Sequence, residues 1–129
     1  MSGPSSMERE APRSTIQDAQ ADVADRIRTT FPHYQGPLLN ALRPLMVRAR
    51  RDVAREGVDR SSPEYQLRVL DRALQLARGE DPTFTPNFGT DFRPVLPGTS
   101  GYSGFQGRLI HIIGQARDER AAAVSRQQP

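Results

Sequence analysis

Apolar residues recur at spacings of three and four in four separate stretches of this chain, and a long stretch between the third and fourth has no period at all. The first stripe runs Ile16, Ala19 or Gln20, Val23, Ile27 and Phe31, the period of an amphipathic helix. Ser14 and Gln17 read as a capping box at its start. Asp18, Asp22 and Asp25 fall in the first turns and Arg26 and Arg28 near the end, as the helix dipole favours. Phe31-Pro32 stops the pattern, because the residue before proline is pushed out of helical geometry.

His33 to Gly36 reads as a turn, and Pro37 suits the first position of a second helix. Leu38, Leu42, Leu45, Met46, Ala49 and Val53 form its apolar face. Pro44 lies inside the pattern and predicts a kink, and Gly57 predicts a C-terminal cap. Ser61-Ser62-Pro63-Glu64 opens a third helix with a serine cap, proline at the first position and an early acid. Leu67, Leu70, Leu74 and Ala77 form its stripe, Val69, Ala73 and Leu76 widen it, and Arg78-Gly79 closes it. In the fourth stretch Phe105, Leu109, Ile112, Ile113, Ala116 and Ala123 share one helical face, with Gly107, Ile110, Gly114 and Ala121 on another. Arg108 to Ile113 is also a β-prone run between two glycines. It has no strand partner elsewhere in the chain, so helix is the favoured reading.

These patterns predict an all-α fold, a small three- to four-helix bundle. The expected organisation is a disordered tail over 1–13, a three-helix core over 14–79, an extended arm and glycine hinge over 80–107, a C-terminal helix over 108–126 and a tail over 127–129. Short connections between the first three helices favour an up-down arrangement.

The arm changes the picture most. Residues 80–104 hold Pro82, Pro86, Pro94 and Pro97, with Gly89, Gly98, Gly101 and Gly104. They also hold Phe84, Phe88, Phe92 and Tyr102, four of the eight aromatic residues. Disordered linkers are poor in aromatics, so these rings are expected to dock on something. The receiving surface is either the chain's own helices or a partner. Phe84, Phe88, Phe92, Tyr102 and Phe105 are therefore the candidate partner-binding residues. Glycines at 98, 101, 104 and 107 precede the last helix. Without a following lysine they do not make a phosphate-cradling Walker loop, and they read as a hinge.

Charge adds a second candidate surface. All eighteen cationic residues are arginine, against fifteen acids, for a net charge of +3. A GC-rich gene produces the same bias, so the absence of lysine does not by itself argue for nucleic acid. The second helix is more specific, since residues 37–60 carry six arginines against three acids. Arg43, Arg48, Arg51 and Arg55 lie opposite its leucines and are the candidate phosphate contacts. Interleaved Asp52, Glu56 and Asp59 argue against an anionic membrane surface.

No motif for catalysis, cofactor or metal is legible. His33 and His111 are far apart and in no paired-ligand spacing, there is no cysteine, and no Gly-x-Ser-x-Gly elbow occurs. The expectation is a protein without enzymatic activity, cofactor or metal. The first twenty residues carry Glu8, Glu10 and Asp18 and no apolar run, as expected without a secretion signal. That leaves a non-catalytic subunit of a multi-protein assembly, in the cytoplasm or within a particle such as a virion, as the leading expectation. Such a subunit would self-associate or bind other proteins. An arginine-rich accessory that contacts nucleic-acid phosphates is the alternative.

Overall fold

The computed structural model describes residues 18–88 and 104–127. Four helices form a bundle: α1 (Ala19–Thr30), α2 (Gln35–Ala54), α3 (Pro63–Ala77) and α4 (Gly104–Gln127), with a 3-10 turn Pro32–Tyr34 between the first two. No strand occurs among the described residues, and 108–113 is helical. The core is one cluster, built from Val23 and Ile27 of α1, Leu38 to Val53 of α2, Val69 to Ala77 of α3 and Leu109 to Ala116 of α4.

Cross-helix contacts fix the directions. Gln20 meets Arg50, and Glu56 meets Arg68 while Asp52 meets Arg72. Gln106 meets Ala77 while Arg117 meets Asp71. Arg108 lies over Phe31 while Glu119 meets Arg26. In each adjacent pair later residues of one helix meet earlier residues of the other, which is the up-down arrangement. The C-terminal ends of α1 and α3 thus share one end of the bundle with the N-terminal ends of α2 and α4.

Local chemistry explains most of the boundaries. The Asp18 carboxylate caps α1, accepting from the amides of Gln20 at 3.0 Å and Ala21 at 3.2 Å. A third free amide, on Ala19, donates to Gln66 Oε1 of α3 at 2.9 Å. The Ser14–Gln17 capping box lies outside the described residues, and Asp18 holds the capping position in α1. Ser62 caps α3 as expected, with Pro63 at the first position. Gly57 and Gly79 stop α2 and α3 with left-handed φ of 80° and 76°, conformations that cost any residue with a Cβ.

Two boundary expectations are corrected. Helix α2 begins at Gln35, two residues before Pro37, because the 3-10 turn already sets helical geometry there. The same helix runs on through Pro44. Pro44 sits on the exposed face, where solvent can reach the carbonyl of Asn40 that its missing N–H leaves unbonded. Helix α4 begins at Gly104, not at 108, so Gly107 is a buried helical residue and not part of a hinge. Gly104 keeps a left-handed φ of 67°, and the glycines at 98 and 101 lie outside the described residues.

Candidate functional site

The arginines of α2 divide into two groups by their partners. Arg48, half-buried at the edge of the helix, belongs to an internal network. Its Nε donates to both Asp52 oxygens at 3.0 and 3.2 Å, and its Nη2 donates to Thr83 Oγ1 at 2.7 Å. Arg72 of α3 donates through Nε to the same Asp52 at 2.9 Å and through Nη2 to Asp81. Asp81 in turn accepts from the amide and hydroxyl of Thr83 at 2.8 and 2.7 Å. The hydrogen bonds from Thr83, with that from Arg72, hold the Asp81 carboxyl far below the usual carboxylate range. Burial pushes the Asp52 carboxyl up, but the hydrogen bonds from Arg72 and Arg48 outweigh it and its pKa lies below normal.

This network anchors the first part of the arm to the bundle. Asp81 ties it to α3, Thr83 ties it to Arg48, and the Arg48 guanidinium lies 6.0 Å from the centre of the Phe84 ring. Phe84 packs half-buried against the core, Pro86 is buried, and Phe88 is only 2% exposed. Phe88 lines a small hollow with Gly36, Pro37 and Asn40 at the start of α2. Along α2, Arg48 to Pro37 spans ~17 Å at ~1.5 Å per residue. An extended chain from Thr83 to Phe88 covers about the same distance at ~3.3 Å per residue. The segment therefore lies along α2 as an antiparallel strap. Phe84 and Phe88, expected as partner-binding rings, pack against the chain's own helices. Phe92 and Tyr102 lie outside the described residues.

Phe105 has a different setting. It stands in the first turn of α4, half-buried, with its ring centre 5.8 Å from that of Tyr34. The Arg108 guanidinium lies 4.2 Å from the Tyr34 ring centre and about 6 Å from those of Phe31 and Phe105. Tyr34 is 38% exposed, so this aromatic and cationic cluster opens onto the surface at the end of the bundle where the arm joins.

The second group of arginines faces outward. Arg43 and Arg51 are exposed on α2, Arg55 is exposed at its C-cap, and Arg60 follows in the connection to α3. None of the four has an ion-pair partner among the described residues. The acids that dilute the charge in the sequence are committed elsewhere. Asp52 serves Arg48 and Arg72, and Glu56 pairs with Arg68 at 2.8 Å. Asp59 accepts from the amide and hydroxyl of Ser61, which depresses its pKa. Four guanidinium groups unpaired among the described residues are thus exposed along α2 and just beyond its C-terminal end. Of the four predicted phosphate contacts, three belong to this group and Arg48 does not join them, because Asp52 and Thr83 hold it.

Sequence reading missed a buried ion cluster between α1 and α4. Arg120 is 1% exposed and lies 3.6 Å from Asp22, itself 6% exposed. Asp22 accepts from Arg26 Nε at 2.8 Å, and Arg26 forms a bidentate pair with Glu119 at 3.0 and 2.7 Å. Burial pushes the Arg120 pKa down against the Asp22 charge. The signal was present: Arg120 falls on the apolar stripe between Ala116 and Ala123, where a cation needs a buried partner.

No helix among the described residues is long and apolar enough to cross a membrane. No protein-family model, curated protein or solved structure matches this chain.

Proposed function

We propose that this chain is a non-catalytic accessory subunit that holds nucleic acid by its phosphate backbone, through the exposed arginine face of α2. One observation carries the reading: Arg43, Arg51, Arg55 and Arg60 lack ion-pair partners among the described residues while the acids beside them are engaged elsewhere. An unpaired guanidinium presents a planar fork of donors that matches phosphate oxygens. Arg43 to Arg55 extends over ~18 Å of helix at ~1.5 Å per residue. That equals the axial rise of roughly five nucleotides at ~3.4 Å per strand step. Contacts of this kind position a strand and carry no sequence information. The test is a gel-shift titration with mixed-sequence DNA and RNA against the triple variant Arg43→Ala, Arg51→Ala, Arg55→Ala. Binding by the native chain that the triple variant loses supports the reading. Equal binding by both, or none at low salt, defeats it.

A second reading is favoured by the aromatic cluster at the other surface. Tyr34, 38% exposed beside Phe105 and Arg108, is the kind of anchor that protein interfaces bury. On that reading the chain is a structural subunit of a multi-protein assembly, a particle or virion included. Light-scattering mass of the native chain and of Tyr34→Ala decides it. An oligomer that Tyr34→Ala dissociates supports this reading, and a monomer at every concentration defeats self-assembly through this surface.

A further inference from the structure

The arginine face ends in a hollow that an internal stretch of backbone does not need. Arg50 and Arg51 of α2, its C-cap residue Arg55 and Arg60 of the following connection line a concavity of about 410 Å³, with Ala54 and Tyr65 as its remaining walls. Among the described residues its lining contains no carboxylate. Arg50 is held by Gln20 Oε1 at 2.6 Å, a neutral partner that orients the guanidinium and leaves its charge uncompensated. The other three have no ion-pair partner among the described residues. Tyr65, 5% exposed at the start of α3, gives the hollow a rigid floor.

We infer that this hollow is a subsite for the terminal phosphate of a nucleic-acid strand. The inference rests on the proposed backbone reading and deepens it. An internal phosphodiester carries one negative charge and is matched by one or two guanidinium groups spaced along a helix. A phosphate monoester carries about −1.5 to −2 at neutral pH and offers three acceptor oxygens. The four arginines that line the hollow supply donors for that charge and that number of acceptors. A volume of about 410 Å³ lies in the range of sites that enclose a small ligand, so the hollow has room for the end nucleotide with its phosphate. A strand whose end sits here would run back along α2 past Arg51 towards Arg43, over the exposed face already described.

The 5′ and 3′ ends share this chemistry, so the experiment carries both. Fluorescence anisotropy compares one single-stranded oligonucleotide bearing a 5′ phosphate, a 3′ phosphate or hydroxyls at both ends, with the native chain, Arg60→Gln and Arg43→Ala. Arg60 is exposed and Gln keeps a polar side chain, so the fold is not at risk. At least one phosphorylated end is expected to bind about tenfold more tightly than the hydroxyl form, as charge-assisted hydrogen bonds of this strength imply. Arg60→Gln should erase that preference, and should weaken the hydroxyl form no more than Arg43→Ala does. Arg43→Ala, outside the hollow, should weaken all three forms equally. Equal affinity for all three with the native chain overturns the subsite and leaves the backbone reading standing. A preference that survives Arg60→Gln overturns the assignment to this hollow. Failure to bind any of the three at low salt overturns both.

Discussion

At the residue scale, the side chains that decide the structure are those whose partners lie far away in the sequence. Arg120 and Asp22 are nearly a hundred positions apart, yet each is buried with the other within 3.6 Å. Removing one member of such a pair is costly because the remaining charge stays desolvated. Arg120→Ala should lower unfolding stability by about 3 kcal/mol in chemical denaturation. The double variant Arg120→Met, Asp22→Leu should lose much less. Phe88→Ala should cost a similar amount, about 3 kcal/mol, because the ring is buried against the start of α2 and its removal leaves a void. An unfolding midpoint unchanged by Phe88→Ala would show that the strap does not contribute to the fold. The sequence announced that the arm's rings must dock. It could not say where, because a proline-rich segment without period has no face to read.

At the element scale, helix starts and stops were legible wherever they depend on local chemistry. Ser62-Pro63 opens α3 and Gly79 closes it, as the cap signals implied. The centre of the buried face of α3 was legible only in part. Val69, Leu70, Ala73, Leu76 and Ala77 are buried, while Leu67 and Leu74 sit half-exposed at its margins. The widening residues share the core with Leu70 and Ala77 of the stripe, because two neighbouring helices flank α3 and the burial is broad. Gly79→Ala tests the cap directly. Open space surrounds the added methyl, so the cost is backbone alone, and the left-handed φ of 76° should make it roughly 1–2 kcal/mol. Thermal unfolding of the variant measures it, and a stability equal to the native chain would mean that α3 ends without need of that conformation. Helix α4 starts four residues before the position that the glycine spacing predicts, because the helix accommodates Gly104 and Gly107. Gly107 is instead buried within the helix, and the Gln106 amide Nε2 donates to the Ala77 carbonyl at 2.9 Å to fix the register against α3.

At the scale of the whole molecule, charge is partitioned. One set of arginines neutralises carboxylates inside the bundle and under the strap, and another set projects from α2. The first set gives stability a pH dependence of definite sign. The carboxyl pKa values of Asp52, Asp81 and Glu119 all lie below their ordinary positions in the folded chain. Their contribution is therefore complete above the unfolded pKa values, near pH ~4, and is lost as pH falls through the folded ones. The melting temperature should be flat from neutral pH to about 5 and then fall below pH ~4. The variant Asp52→Asn, Asp81→Asn should start lower and fall less steeply. The outward set was visible in the sequence as a net positive second helix, but its separation from the inward set was visible only in part. Asp52, one turn after Arg48, is the local signal; the further ties from Arg48 to Thr83 and Asp81 depend on a placement after α3 that the sequence does not show.

The outward set carries the central claim, and the salt dependence of nucleic-acid affinity tests it most directly. For the native chain, log Kd plotted against log salt should rise with a slope that reports several phosphate contacts. Each of Arg43→Ala, Arg51→Ala and Arg55→Ala should reduce that slope by about one, whatever the sequence of the strand. A slope near zero, or one that the three substitutions together leave unchanged, would contradict the account.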